Sequence, residues 1–242
     1  MSESEVKLWQ QLMHSGNPGS GASGNEYRLR EEICKIGKEM DESGLALFLG
    51  VYAPGNISAR TPGSDRALIT PSGLPKGALK PDDLPVVDLQ GRKIAGKLRP
   101  SIETPMHCSI YRRRADVNGI VHAHSPMTMA YAITNQEIQA TTVELAGVSG
   151  GRVPVARYVT PATEELGETT VEALGFSNAV IMQNHGLVAV GGTLRDAFNN
   201  ALAVEYTAMV NIYGKIIGDL VELPPEEVRG IRKYVLEEYG QR

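Results

Sequence analysis

Cysteine is scarce in this chain, and that scarcity sets the first limit. Two cysteines, Cys34 and Cys108, are too few for a disulfide framework, which excludes a small secreted scaffold and leads us to expect a reduced, intracellular protein. Long apolar runs are missing too: none approaches the ~20 residues needed to cross a bilayer. The first residues, Met1-Ser2-Glu3-Ser4-Glu5, are acidic and lack the basic start and apolar core of a secretory leader. A basic surplus is absent, since 24 Lys and Arg face 28 Asp and Glu for a net charge of −4; phosphate backbones call for a basic stripe, so nucleic acid is disfavoured as a partner. Neither a Rossmann fingerprint nor a Walker A pattern occurs. A cytoplasmic protein without membrane or nucleic-acid partners is expected.

Histidine is also uncommon, with five in 242 residues, yet three of the five fall in two short segments. Gly119-Ile120-Val121-His122-Ala123-His124-Ser125 has strand character, and alternation along a strand sends both imidazoles to one face. Met182-Gln183-Asn184-His185-Gly186 lies between two apolar runs, at a turn where a ring nitrogen can point into a cleft. A lone histidine at a strand end is ordinarily a hydrogen-bonded core or rim residue. Three neutral nitrogen donors with one open position, in contrast, form a set used by catalytic zinc. Spacing alone does not place the third histidine beside the pair.

At this length one sizeable domain is expected. Residues 1–24 read as an N-terminal extension: a short amphipathic helix over 6–14, then a Gly- and Ser-rich connector over 15–24. The domain is expected over residues 25–242. Leu29, Ile33, Ile36 and Met40 recur at three- and four-residue intervals, which predicts a helix over 26–43 ended by Gly44. Strands are predicted at 55–60, 67–70, 85–89, 179–182 and 187–190, and helices at 102–115, 126–132 and 161–174. The last long helix opens with Thr193-Leu194-Arg195-Asp196, a capping-box pattern, and runs to about Ile217. Strands and helices are mixed rather than strictly alternating, which fits an α/β fold of three layers, α/β/α, or an α+β sheet domain.

Glu103 is predicted on the helix before the His-x-His strand, with His107 four residues on along the same face. An isolated glutamate is ordinarily a surface carboxylate; beside a divalent cation it can serve as a fourth ligand or as an acid/base group. Two glycine-containing turns, Gly55-Asn56-Ile57-Ser58 and Thr70-Pro71-Ser72-Gly73, can offer backbone N–H groups to an anion.

Taken together, five segments resemble one family: Gly55-Asn56-Ile57-Ser58, Ile69-Thr70-Pro71-Ser72-Gly73, Pro100-Ser101-Ile102-Glu103, Val121-His122-Ala123-His124 and Gln183-Asn184-His185-Gly186-Leu187. Their order and spacing over residues 26–240 are similar to the class II aldolase/adducin family. The resemblance implies a central, mostly antiparallel sheet flanked by helices. It implies Zn2+, or another divalent ion, on His122, His124 and His185, with Glu103 as the acid/base carboxylate. Asn56, Ser72, Gly73 and Ser101 match positions that hold a substrate phosphate, and Tyr239 matches a tyrosine that closes over the active site. A homotetramer and a small sugar or sugar-phosphate substrate are implied as well.

The activity this resemblance implies is that of a lyase cleaving a ketose 1-phosphate, such as fuculose 1-phosphate, to dihydroxyacetone phosphate and an aldehyde through a metal-stabilised enediolate. Within the family the alternatives are a sugar-phosphate 4-epimerase, a metal-dependent decarboxylase and a non-catalytic adducin-like module. This sequence departs from the aldolase pattern at three positions. Ala53 and Ile102 stand where hydroxyl residues contact phosphate, and Val143 falls about where a neighbouring subunit contributes a tyrosine proton donor.

Overall fold

The apolar stripe of residues 29–40 forms a helix that buries Ile33, Ile36 and Met40 and ends at Ser43, before the left-handed Gly44. The structure, a computed structural model, describes residues 22–46, 49–50 and 53–239. The helix expected over 6–14 lies outside these residues. This first described helix, α1 (Ala22–Ser43), begins earlier than the periodicity indicates, so residues 22–24 are helical rather than connector.

Eight strands follow, in a single sheet: β1 (Asn56–Arg60), β2 (Arg66–Ile69), β3 (Val86–Asp88), β4 (Lys93–Ala95), β5 (Gly119–Ala123), β6 (Val155–Ala156), β7 (Ala179–Met182) and β8 (Gly186–Gly191). Their spatial order is β4-β3-β2-β1-β5-β8-β7-β6. Every pairing is antiparallel except that of β6 with β7. The helices after α1 are α2 (Thr104–Arg113), α3 (Pro126–Thr134), α4 (Val143–Ser149), α5 (Glu164–Leu174), α6 (Leu194–Ile217) and α7 (Pro225–Glu237).

Side-chain alternation divides the interior into two cores. Leu187 and Ala189 of β8 face α1 and α6, in one cluster with Ile36, Phe198 and Ala201. Val188 and Val190 face the other way, towards Met106 and Ile110 of α2 and Leu166 of α5. Both sheet faces are thus covered by helices, giving the three-layer α/β/α arrangement with a mostly antiparallel sheet.

Helix α6 carries the capping box read from its sequence: the Asp196 N–H donates to Thr193 Oγ1 at 3.1 Å and the Thr193 N–H returns to Asp196 Oδ2 at 3.1 Å. Four of these strands and α-helices escape the sequence reading, each for a local reason. Strand β4 has three exposed residues and hence no alternation. Strand β6 has two residues, too few to show a period. Helix α4 has only seven residues, with Gly147 among them. Helix α7 is dominated by charge, and Val228 is its one fully buried side chain; it is held by packing on α4, where Arg232 donates to the Gly147 carbonyl at 2.5 Å.

Candidate active site

The antiparallel ladder brings distant segments of sequence to one end of the sheet. Asn56 of β1 pairs with His122 of β5, and His122 pairs on its other side with Val188 of β8. The β7–β8 hairpin closes with Met182 opposite Gly186, so its tip carries Asn184 and His185 next to the His-x-His strand. Asn184 takes the left-handed conformation, φ 56°, which asparagine tolerates better than other non-glycine residues.

Two glycines permit the close approach. A Cβ on Gly186 would lie 2.5 Å from the Ala123 carbonyl oxygen and 3.2 Å from His122 Cε1. Gly55 has φ +79°, and a Cβ there would lie 2.6 Å from the His122 carbonyl oxygen. Only a residue without a side chain fits either place.

The imidazoles of His122, His124 and His185 converge, with ring centroids 4.8, 5.0 and 5.1 Å apart. One nitrogen from each lies within 4.8 Å of the others, and among the described residues this is the one cluster of three or more potential metal ligands. His122 Nδ1–H donates to the Leu187 carbonyl at 2.8 Å. That bond leaves a lone pair on Nε2, which lies 3.0 Å from His124 Nε2. Tetrahedral zinc with Zn–N bonds near 2.05 Å separates its nitrogens by about 3.3 Å. The His185 Nδ1 and Glu103 Oε2 are buried without a hydrogen-bond partner, and buried polar atoms ordinarily have one.

Burial lowers the proton affinity of all three rings. His124 and His185 are each brought down to about 4, and His122, with its two neighbours adding repulsion, lies well below the ordinary value. These are neutral nitrogen donors, the form a cation requires, so the residues present fit a divalent metal.

Glu103 occupies the N-cap of α2, not its first turn as expected, because Pro105 favours a helix starting at Thr104. Its Oε1 accepts the Ala162 N–H at 3.2 Å, and burial raises its pKa against that bond. His107, four residues on, hydrogen-bonds to Asn56 and Ser58 on β1.

Glu103 and the three histidines line a cleft of about 500 Å3, and Asn56, Ser72, Gly73 and Ser101 line the same cleft. Tyr239 does not. It stands exposed beyond the end of α7, its ring 6.1 Å from that of Tyr234. Val143, at the start of α4, is exposed and lies outside the cleft wall. Ile102 and Ala53 both line the cleft.

Lys76 is a residue that the sequence reading misses. It is 2% exposed, and its ammonium donates to the carbonyls of Ala53 at 2.8 Å and Leu74 at 3.3 Å, tying together the two loops that carry Asn56 and Gly73. Nothing in the run Gly73-Leu74-Pro75-Lys76-Gly77 distinguishes a buried lysine from an exposed one. Burial lowers its pKa from 10.5 to about 8. Between those values the unfolded chain binds more protons than the folded one, so stability is expected to rise with pH from about 8 to 10.5. Urea midpoints measured across that range should show this rise, and a Lys76→Met protein should lack it; an equal rise in both would remove Lys76 as its source.

Residues 31–212 match the class II aldolase and adducin N-terminal domain. The chain is a member of the class II aldolase/adducin family.

Among the relatives of this class II aldolase-family chain is the 5-deoxy-D-ribulose 1-phosphate aldolase of Bacillus thuringiensis serovar kurstaki, 36% identical over 213 residues, 88% of this chain and 97% of that one. A 5-methylthioribulose-1-phosphate/5-deoxyribulose-1-phosphate aldolase of Escherichia coli is 33% identical over 191 residues, 79% of this chain and 85% of the relative. A solved L-fuculose 1-phosphate aldolase superposes with a TM-score of 0.80 at 33% identity, covering 85% of this chain and 95% of its own. The class II aldolase-family chain is an enzyme, a lyase. Among its described residues no helix is long and apolar enough to cross a membrane.

Proposed function

We propose that this lyase cleaves a short-chain ketose 1-phosphate to dihydroxyacetone phosphate and an aldehyde, with a divalent cation, zinc, on His122, His124 and His185. The observation that carries this reading is the placement of one carboxylate, Glu103, in the same cleft as the three histidines and the two glycine turns. A cation bound there would supply Lewis-acid polarisation of the C2 carbonyl and the hydroxyl beside it.

The chain's own groups account for the rest. Ser72, Gly73, Ser101 and the Asn56 amide are the donors for the phosphate oxygens. When the C3–C4 bond breaks, the C4 hydroxyl gives its proton to solvent water in the open cleft and the C4 oxygen becomes the aldehyde carbonyl. The electron pair left at C3 takes up one proton in return, and the buried Glu103 is our candidate for the group that delivers it. No redox cofactor is needed for this balance. Retention of all three histidines argues against a non-catalytic module.

Met129 and Tyr158 add apolar groups to the cleft lining, suited to a terminal methyl rather than a hydroxyl. This favours deoxy sugars such as 5-deoxyribulose or fuculose 1-phosphate, the classes named among the relatives. The exposed Tyr213, Ile216, Ile217 and Val221 support self-association, read here as the homotetramer, and Tyr239 would reach a cleft only across such a contact.

The test is an NADH-coupled assay of dihydroxyacetone phosphate release over a panel of ketose phosphates. Cleavage of the deoxy 1-phosphates at least about tenfold faster, in kcat/KM, than of their terminally hydroxylated counterparts is expected. Isomerised or decarboxylated product without dihydroxyacetone phosphate would refute aldol cleavage and favour the epimerase or decarboxylase branch.

A further inference from the structure

Behind the cleft wall a row of buried polar groups leads away from Asn56. His107 Nε2 meets Asn56 Oδ1; His107 Nδ1 lies 2.6 Å from Ser58 Oγ; and Ser58 Oγ lies 2.7 Å from the Tyr111 hydroxyl. Asn56 and Ser58 are two residues apart on β1, so they share a face. His107 and Tyr111 are four apart on α2 and lie one above the other. All four are buried, and Asn56 alone of the four lines the cleft.

The direction of these bonds is set by proton accounting. Burial holds His107 neutral, its pKa down to about 3, so the ring carries one N–H. Were that proton on Nδ1, it would be donated to Ser58. The Ser58 hydroxyl would then donate to Tyr111, and the Tyr111 proton would have no acceptor. Ser58 is the one hydrogen-bond partner of that hydroxyl among the described residues, and the group over the Tyr111 ring is the Arg60 guanidinium, which cannot accept. With the proton on Nε2 the row is satisfied throughout: Tyr111 donates to Ser58, Ser58 to Nδ1, and Nε2–H to Asn56 Oδ1. The Asn56 carboxamide then has one orientation, with its –NH2 on the cleft side.

We propose that His107 is a positioning residue that, as its Nε2–H tautomer, fixes the Asn56 amide as a hydrogen-bond donor to the substrate phosphate. A freely turning asparagine would spend part of its time presenting a carbonyl oxygen, which repels an anion. The anchored amide offers only N–H. This inference rests on the reading of the glycine-turn side of the cleft as the phosphate site, and the experiment below separates the two.

Imidazole 15N NMR of the full chain, with the His107 signal identified by its loss in His107→Gln, should show the proton on Nε2. A proton on Nδ1 overturns the proposal. His107→Phe removes both ring nitrogens, and His107→Gln restores an N–H donor at the Nε2 position. The phenylalanine variant is expected to weaken binding of inorganic phosphate, and to raise KM for a ketose 1-phosphate, by about tenfold, with kcat within about threefold; the glutamine variant should recover most of the loss. If the phenylalanine variant does not fold, His107→Gln and the NMR signal still decide. A His107→Gln protein that binds phosphate like the starting protein, while Asn56→Ala binds it about tenfold worse, supports the donor role. Wild-type phosphate affinity in His107→Phe, or a fall in kcat with affinity unchanged, overturns it. Asn56→Ala with undiminished phosphate affinity would instead remove the phosphate-site reading itself, and this proposal with it.

Discussion

Replacing His122 with alanine is expected to strip the metal and reduce cleavage by roughly 10³-fold or more, the equivalent of about 4 kcal/mol of transition-state stabilisation. His122 is the ring whose geometry is most constrained. Its Nδ1–H is committed to the Leu187 carbonyl, its Nε2 faces that of His124, and its backbone is paired on both sides by β1 and β8. Removing it leaves two imidazoles, one short of the set that holds a catalytic cation with an open position. The hydrogen bond on the far nitrogen is part of the same device, since it fixes the tautomer and the plane of the ring. Metal content per chain and dihydroxyacetone phosphate release are the measurements, with circular dichroism as the control for folding. Full activity of His122→Ala in metal-free buffer would sink the assignment.

Glu103→Gln is expected to slow cleavage by roughly 10²- to 10⁴-fold, the range for loss of a positioned proton carrier, without loss of metal. The substitution is nearly isosteric, and the glutamine oxygen can still accept the Ala162 N–H that now reaches Glu103 Oε1. What disappears is the second oxygen, buried and without a partner, and with it the capacity to carry a proton. Burial already disfavours the charged carboxylate, so the neutral amide should cost little stability. The discriminating result is the pair of readings: metal retained and turnover lost. Turnover within about threefold of the starting protein would show that the proton travels by another group. Loss of metal along with activity would make Glu103 a ligand first.

Much of this was legible in the residues themselves. The apolar stripe of α1 and the capping box of α6 are local patterns, and their helices followed at nearly the expected bounds. The His-x-His segment disclosed a pair of donors because strand alternation needs no tertiary information. Elements held chiefly by contact were not legible: α4 and α7 pack on one another, and β4 is a short exposed edge strand. The expectation for Glu103 shifted at a boundary: a helix starting two residues later makes it a cap. The partners of His107 on β1 were not legible, because they come from strand-to-helix packing.

By itself the sequence determined the donor chemistry: which side chains can hold a cation, which carboxylate can carry a proton, and where glycine allows backbone to turn towards an anion. Assembly was decided by the tertiary structure, because the pairing of β1, β5 and β8 is a matter of long-range register that no local pattern encodes. That register sets His185 against His122 and His124. It buries Lys76 under two loops, and it leaves Tyr239 away from the cleft of its own chain. Burial, which exists only once the layers have packed, is what keeps the three imidazoles neutral, the form a cation requires, rather than mutually repelling cations.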